Sequence, residues 1–403
     1  MSNRLSLHAI LVSGASAGGQ LVMLVVFAAL GREIGPTRLG VVTISMALAM
    51  VLSGLVDFGA NNLWVRDLAS GALPKSDYSR RATTKVLVGI GLGALISFVC
   101  LAVPPARPFG GIGVILSSWI LTQTLHVALR ADSRNTSLAV SLVSERAVLL
   151  VLYLGAALLG VHPEIAFFLS YALGALVGAG VAFALMDPAA RPFRGLTRLP
   201  DAWRGAQYFG LGAIMINLSS LDSAIAGAVA GNTVVGYYGA VNRWTQPIML
   251  ASNTFTTLLV PVAAREPTMR DVWGRIRSTM WLPAGGAALC VLMGVFAEPL
   301  VLLIMGEQYA PSVPVLQILA VAVAIININQ PLAGLLQARG HDRRVALLLA
   351  VAVLVRLGVL VPLVLIFGAM GIALAFVMGE AILLLGMVAY ARALRAAPAE
   401  RRK

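Results

Sequence analysis

The stretch Val345–Phe367, VALLLAVAVLVRLGVLVPLVLIF, is 23 residues long and carries one charge, Arg356. A helix of this length spans about 34 Å, enough to cross a hydrocarbon core of about 30 Å. Arg356 lies about 18 Å along the helix from Arg344, near the middle of a bilayer and too deep for easy snorkelling. An ionised side chain at that depth costs roughly 2.5–3.5 kcal/mol on insertion scales. Asp222, Arg243 and Glu380 interrupt other apolar segments in the same way. Four such residues are expected to pair with one another or to line a polar cavity rather than to face lipid. The chain thus reads as a membrane protein built around something polar or charged.

The composition agrees. Hydrophobic residues make up 59% of the 403 and charged residues 12%, half the share usual in a soluble domain. Apolar segments separated by charged or Gly/Pro-bearing turns predict twelve spans. They are Ala9–Leu30, Leu39–Ala60, Ala82–Val103, Phe109–Leu129, Val143–Val161, Glu164–Met186, Tyr208–Ala230, Val235–Pro261, Ser278–Ala297, Pro311–Gln337, Val345–Phe367 and Met370–Ala391. No segment shows the ten-residue alternation of a transmembrane strand. Ala9–Leu30 is too long for the apolar part of a signal peptide and reads as the first span.

A net charge of +13 would suggest nucleic acid in a soluble protein, but here topology accounts for it. With both termini in the cytoplasm, 24 of the 30 Lys and Arg fall on the cytoplasmic side, counting Lys85 among them. Three, Arg32, Arg38 and Arg107, fall outside, and Arg146, Arg243 and Arg356 lie within spans. That bias supports the span count as well as the orientation. The Pro/Arg-rich stretch 188–207 is the longest inner connection and the seam between lobes 1–187 and 208–403. A faint echo links the turns Leu30–Val42 and Ala230–Val241, each with a glycine, a short polar turn and further glycines. Six helices preserve orientation, so such repeats would be parallel.

Four stretches resemble the polysaccharide transporter family of Wzx-like oligosaccharide flippases, in the superfamily that also holds MATE drug exporters and the lipid II flippase. They are Leu30–Gly40; Asp57-Phe58-Gly59-Ala60 with Arg66; Leu221-Asp222 through Gly236-Tyr237-Tyr238 to Pro261–Arg265; and Met305–Ala310 with Gly334–Gly340. The resemblance implies an all-α, MATE-like pair of six-helix lobes related by a pseudo-two-fold axis. It also implies export of an undecaprenyl-diphosphate-linked glycan across a bacterial cytoplasmic membrane by alternating access. Partners would be the bilayer, the lipid-linked glycan, and glycan polymerase or glycosyltransferases. The chain has shorter loops than many family members and two spans fewer than the lipid II flippases.

The deep residues leave alternatives open. Arg356 suits a diphosphate, since a guanidinium presents paired donors to phosphate oxygens; the other reading is a structural ion pair with Glu380 or Asp222. Arg243 is a second phosphate ligand or an interfacial anchor, on a Pro247-kinked helix with Asn242 and Gln246. Arg146, with Glu145, is expected near the inner start of span five, as a snorkelling residue or a substrate contact. Asp222, with Asn217 beside it, and Glu380 are candidates for a coupling ion, H⁺ or Na⁺, or for ion pairs with arginine. Asp57 and Arg66 are expected to pair or cap locally. Asn327, Asn329, Gln330 and Pro331 suggest a break in span ten facing a cavity.

Cys100 and Cys290 fall in apolar segments and read as packed small side chains. No Walker motif, metal cluster or His-rich site occurs among the four histidines, so no cofactor is expected. Energy would come from an ion gradient or substrate flux. A membrane-embedded glycosyltransferase or ligase is a third class, but the outer connections are too short for an acceptor site. A MATE-type drug or cation antiporter is the alternative within the transporters.

Overall fold

The computed structural model describes residues 2–207, 210, 217–218, 220–266 and 269–396. Within these the chain is helical throughout, with no strand. Among the described residues nine helices are long and apolar enough to cross a bilayer, or ten if the bent pair Arg270–Thr279 with Trp281–Val295 is one span. Part of the expected seventh span, residues 208–209, 211–216 and 219, lies outside the described residues.

Two compact units form, residues 1–227 and 228–403. The first opens with α1 (Ser2–Asp57), which merges the first two expected spans. Its one break is Gly35, at φ 74° and ψ 172°, followed by Pro36. Only glycine adopts that conformation readily, and proline cannot donate back across the break. Then come α2 (Ala60–Ala69), α3 (Lys75–Ala102), α4 (Gly111–Ala131), α5 (Asn135–Leu158), α6 (Pro163–Leu185) and the short α7 (Leu199–Ala202). α1 packs on α4, α5 and α6, and α3 packs on α4. At one end Leu63, Trp64, Tyr78, Leu125, Leu129 and Leu138 form a core. The stretch 188–206, expected as a linker, is laid along α3 in this unit: the Phe193 amide donates to Thr83 Oγ1 at 2.7 Å and the Thr197 amide to Thr84 Oγ1 at 3.0 Å.

α8 (Leu221–Ala230) leads across the boundary to α9 (Asn232–Asn242) and α10 (Thr245–Arg265). The turn glycine here, Gly231, has φ 87° and ψ 164°, the conformation of Gly35. Gly306, outside the echo in the sequence, has the same conformation at φ 94° and ψ 166°. After these follow α11 (Met269–Ile276), α12 (Trp281–Val295), α13 (Ala297–Met305), α14 (Ser312–Ala338), α15 (Asp342–Phe367) and α16 (Ala369–Ala396). α14 is central, packing on α10, α12 and α16, and α15 packs on α16.

Three expectations change. Span ten is not interrupted: α14 runs unbroken from Ser312 to Ala338 with Pro331 inside it. A proline removes one donor, and packed neighbours let a membrane helix continue past it. Span five begins at Asn135, not Val143, so Arg146 lies about 16 Å into α5 rather than at its start. Lys85, counted with the cytoplasmic charges, is fully buried within α3. The spans also turn large apolar side chains outward, with Phe98 and Ile366 each 71% exposed, as a lipid solvent requires.

Candidate functional site

In the second unit the polar side chains gather where α14, α15 and α16 cross. Arg356 is 9% exposed. Its stem runs over Gly379, where an added Cβ would lie 3.1 Å from Arg356 Cβ, so the glycine lets α16 approach. Its guanidinium sits 4.2 Å from the Phe376 ring centroid, one turn before Glu380. A flat cation on an aromatic face stays oriented while its edge N–H donors remain directed along the ring plane.

Glu380 is the next residue after that glycine. Its Oε2 accepts from Asn329 Nδ2 at 2.7 Å, and the same amide donates to the Glu380 carbonyl at 2.9 Å. The carboxylate needs a donor, which turns the Asn329 amide oxygen away from it. Asn327 Nδ2 meets Cys290 Sγ at 3.7 Å. Among the described residues the side-chain oxygens of Asn327, Asn329 and Gln330 are buried and accept no hydrogen bond. Arg356, Glu380 and Asn329 therefore meet along α16, while Asn327 faces α12. The α14 amides read in the sequence as a helix break are instead presented by an intact helix.

Arg243 lies elsewhere, at the junction of α9 and α10. The break there is local chemistry: Pro247 has no N–H, so the Arg243 carbonyl takes the Gln246 amide at 3.3 Å, and Thr245 Oγ1 donates to the Asn242 carbonyl at 2.7 Å. Arg243, Asn242 and Gln246 are all half-buried. α9 itself packs on α14 and α16.

In the first unit Arg146 is held between Glu145, at 3.2 Å, the Tyr171 ring, at 5.8 Å, and Met23 Sδ, at 3.8 Å. The approach of α1 needs Gly19, whose added Cβ would fall 3.1 Å from the Arg146 stem. His126 Nε2 meets Ser141 Oγ at 2.9 Å, and that hydroxyl donates to the Gly178 carbonyl at 2.8 Å. The serine has one proton, so His126 is the donor in the first contact. Asp222 is 4% exposed and its Oδ1 accepts the Ser223 amide at 2.7 Å. The Asn217 amide packs against Gly54, where any Cβ would collide with it.

The sequence reading missed one constellation. Lys85, with no side-chain exposure, donates to Asp57 Oδ1 at 2.7 Å and to Asn61 Oδ1 at 2.5 Å, and its ammonium lies 4.6 Å from the Trp64 ring. Arg66 pairs with Asp67 instead, at 2.8 Å. Of the local pairing or capping expected there, the capping is present, with Asp57 Oδ1 accepting the Asn61 amide at the start of α2 at 3.3 Å, while Phe58, at φ 44°, and Gly59, at φ 74°, turn α2 away from the axis of α1. A signal was available. Lys85 falls in phase with Tyr78, Ala82, Gly89 and Gly93, the buried stripe of α3.

No protein-family model and no curated protein sequence matches the chain. Solved structures do. An inward-facing MATE-family multidrug resistance transporter of the MOP superfamily superposes with a TM-score of 0.71 at 16% identity, over 94% of this chain and 95% of that one. The fold is that of MATE-type transporters. The lipid II flippase MurJ, in an inward closed conformation, gives 0.69 at 13% identity over 95% and 87% of the two chains. The eukaryotic MATE transporter AtDTX14 gives 0.63 at 15% over 96% of each.

Proposed function

We propose that the chain is a flippase that exports an undecaprenyl-diphosphate-linked oligosaccharide or polysaccharide precursor by alternating access. The observation that supports it most is Arg356: a guanidinium nine-tenths buried in a span, oriented on Phe376, in a fold that the lipid II flippase MurJ shares. In this reading the chain works as two six-helix lobes, 1–187 and 208–403 joined by 188–207, with both termini in the cytoplasm of a bacterial cell and twelve spans. Arg356 and Arg243 take the diphosphate, with Asn242, Gln246 and Arg146 lining the path of the glycan. The apolar tail stays in lipid. Binding strength need differ only modestly between the two states, because a ligand shifts an equilibrium by its differential affinity alone.

Asp222, Glu380 and Asn217 are the groups we assign to a coupling ion, H⁺ or Na⁺. No cofactor and no catalytic step is required. Glycan polymerase or glycosyltransferases would supply and consume the cargo. In cells, an Arg356→Ala protein made at normal levels is expected to leave lipid-linked glycan on the inner leaflet, and Arg356→Lys to restore export in part, since the paired-donor geometry is lost. Wild-type export by Arg356→Ala overturns the assignment.

One observation favours a second reading, a MATE-type cation or drug antiporter: Glu380 is a carboxyl group within an apolar helix, a position where transporters take up protons or cations. Proton-coupled efflux of a lipophilic cation from vesicles lacking any polyprenyl lipid would decide for it.

A further inference from the structure

The stretch 193–199 carries more than a connection needs. It leaves α6, crosses the first three turns of α3 and is fixed there by Thr83 and Thr84, as described above, and by Ser79 Oγ donating to the Arg191 carbonyl. With its backbone held, the stretch points a patterned set of side chains outward. Phe193 is 55% exposed, Leu196 63% and Leu199 58%, at every third residue, and Arg194 and Arg198 between them are exposed as well. Phe193 has φ 70°, a left-handed conformation that costs a residue with a side chain on the order of 1 kcal/mol or more. The fold tolerates that strain in a residue whose ring faces outward.

What covers this face is indicated by its level along α3. Thr84 holds the stretch, and the outward apolar belt of α3 begins three residues on, at Leu87, 46% exposed, and continues through Ile90 and Leu95. Three residues of helix are about 4.5 Å. The stretch therefore lies beside the edge of the lipid-facing belt, where headgroups meet acyl chains. Of the nearby acids, Asp77 is paired with Arg80 and Asp187 with Lys75 at 2.8 Å, while Asp201 follows Arg198 by three residues in α7. Arg194 and Arg198 are thus exposed among the apolar side chains of the same stretch.

We propose that residues 193–199 form an interfacial footprint for anionic phospholipid. Phe193, Leu196 and Leu199 enter the headgroup–acyl boundary, and Arg194 and Arg198 hold the phosphates of the same leaflet. A segment with basic and apolar side chains interleaved at this depth binds through both terms, buried area and attraction to anionic lipid. A soluble acidic protein would meet the charges but would leave the three apolar side chains at the lipid edge unexplained.

The test uses the purified full chain in bilayer nanodiscs of phosphatidylcholine, alone or mixed with phosphatidylglycerol, with retained lipid read by native mass spectrometry. Phosphatidylglycerol binding is expected to weaken about fivefold for each of Arg194→Gln and Arg198→Gln. Arg107→Gln, distant along the first unit, should change nothing. A Leu196→Trp reporter reads depth independently. Its added fluorescence should be quenched by lipid brominated high on the acyl chain and protected from an aqueous quencher. Equal phosphatidylglycerol retention by the Arg194/Arg198 double variant, or a Leu196→Trp signal quenched only from water, overturns the proposal; the latter would mark the face as a docking surface for a soluble partner.

Discussion

Removing either side of the Lys85–Asp57 pair should destabilise the first unit, and the two removals should differ. The ammonium of Lys85 has no exposure, whereas the Asp57 side chain is 19% exposed and also accepts the Asn61 amide at 3.3 Å. Breaking a buried pair by losing one partner costs about 3–5 kcal/mol, because a charge is left without compensation. Asp57→Asn strands the enclosed ammonium with only the Asn61 oxygen and the Trp64 face, so it should fall in that range. Lys85→Met leaves a carboxylate that keeps a backbone donor and some water, and should cost about half as much. The double variant removes both charges and should recover much of the loss, with a coupling of roughly 2–3 kcal/mol. For a unit of this size, 1 kcal/mol corresponds to about 2–4 °C. Asp57→Asn should thus lower Tm by roughly 6–20 °C, measured by fluorescence-detected size exclusion after heating in detergent. Additive single effects, with the double variant melting at the sum of both losses, would refute the reasoning. That outcome would mean that the two charges act separately and that the left-handed turn at Phe58–Gly59 is held by something else.

Other outcomes follow from particular contacts. Gly113→Ala should destabilise strongly, because any Cβ there collides with the Gly93 carbonyl at the α3–α4 crossing, whereas Gly91→Ala, with nothing within 4 Å, should raise stability by about 0.5–1 kcal/mol; thermal melts of the two compare them directly. The Lys75 ammonium, and then the Ala189 amide, hold the Asp187 carboxyl below its ordinary 3.8. A depressed carboxyl stabilises above its unfolded value and loses that contribution as pH falls through the folded one. The Tm gap between wild type and Asp187→Asn should therefore be full at neutral pH and close below about pH 3.8. Asn329→Leu removes the 2.7 Å donor to Glu380, and the lost charge-assisted bond should cost about 1.5–3 kcal/mol in stability; no change in melting would show the contact to be dispensable.

Much of the helical layout was legible in the chain before any packing was known. Whether a 20-residue segment prefers hydrocarbon is a sum over its own side chains, local in sequence. Apolar runs such as Val345–Phe367 therefore matched α15 closely, and Gly35-Pro36 and Pro247 marked real breaks because glycine and proline act on their own backbone. The depth of Arg356 was equally a matter of counting residues. The partners were not legible. Asp57 chose Lys85, 28 residues away, over the nearer Arg66 because a left-handed turn carries Arg66 off and α3 brings Lys85 in. Arg146 lies within α5 rather than at its start because the helix begins in the polar residues from Asn135, packed on α1 and α6. Pro331 did not interrupt α14 because its neighbours pack on both sides of it. The stretch 188–206 became part of the first unit through hydroxyls of α3 that read, in one dimension, as ordinary helix residues. Insertion into a bilayer is decided segment by segment, whereas the pairing of charges and the docking of loops depend on which helices meet, and only the tertiary structure settles that.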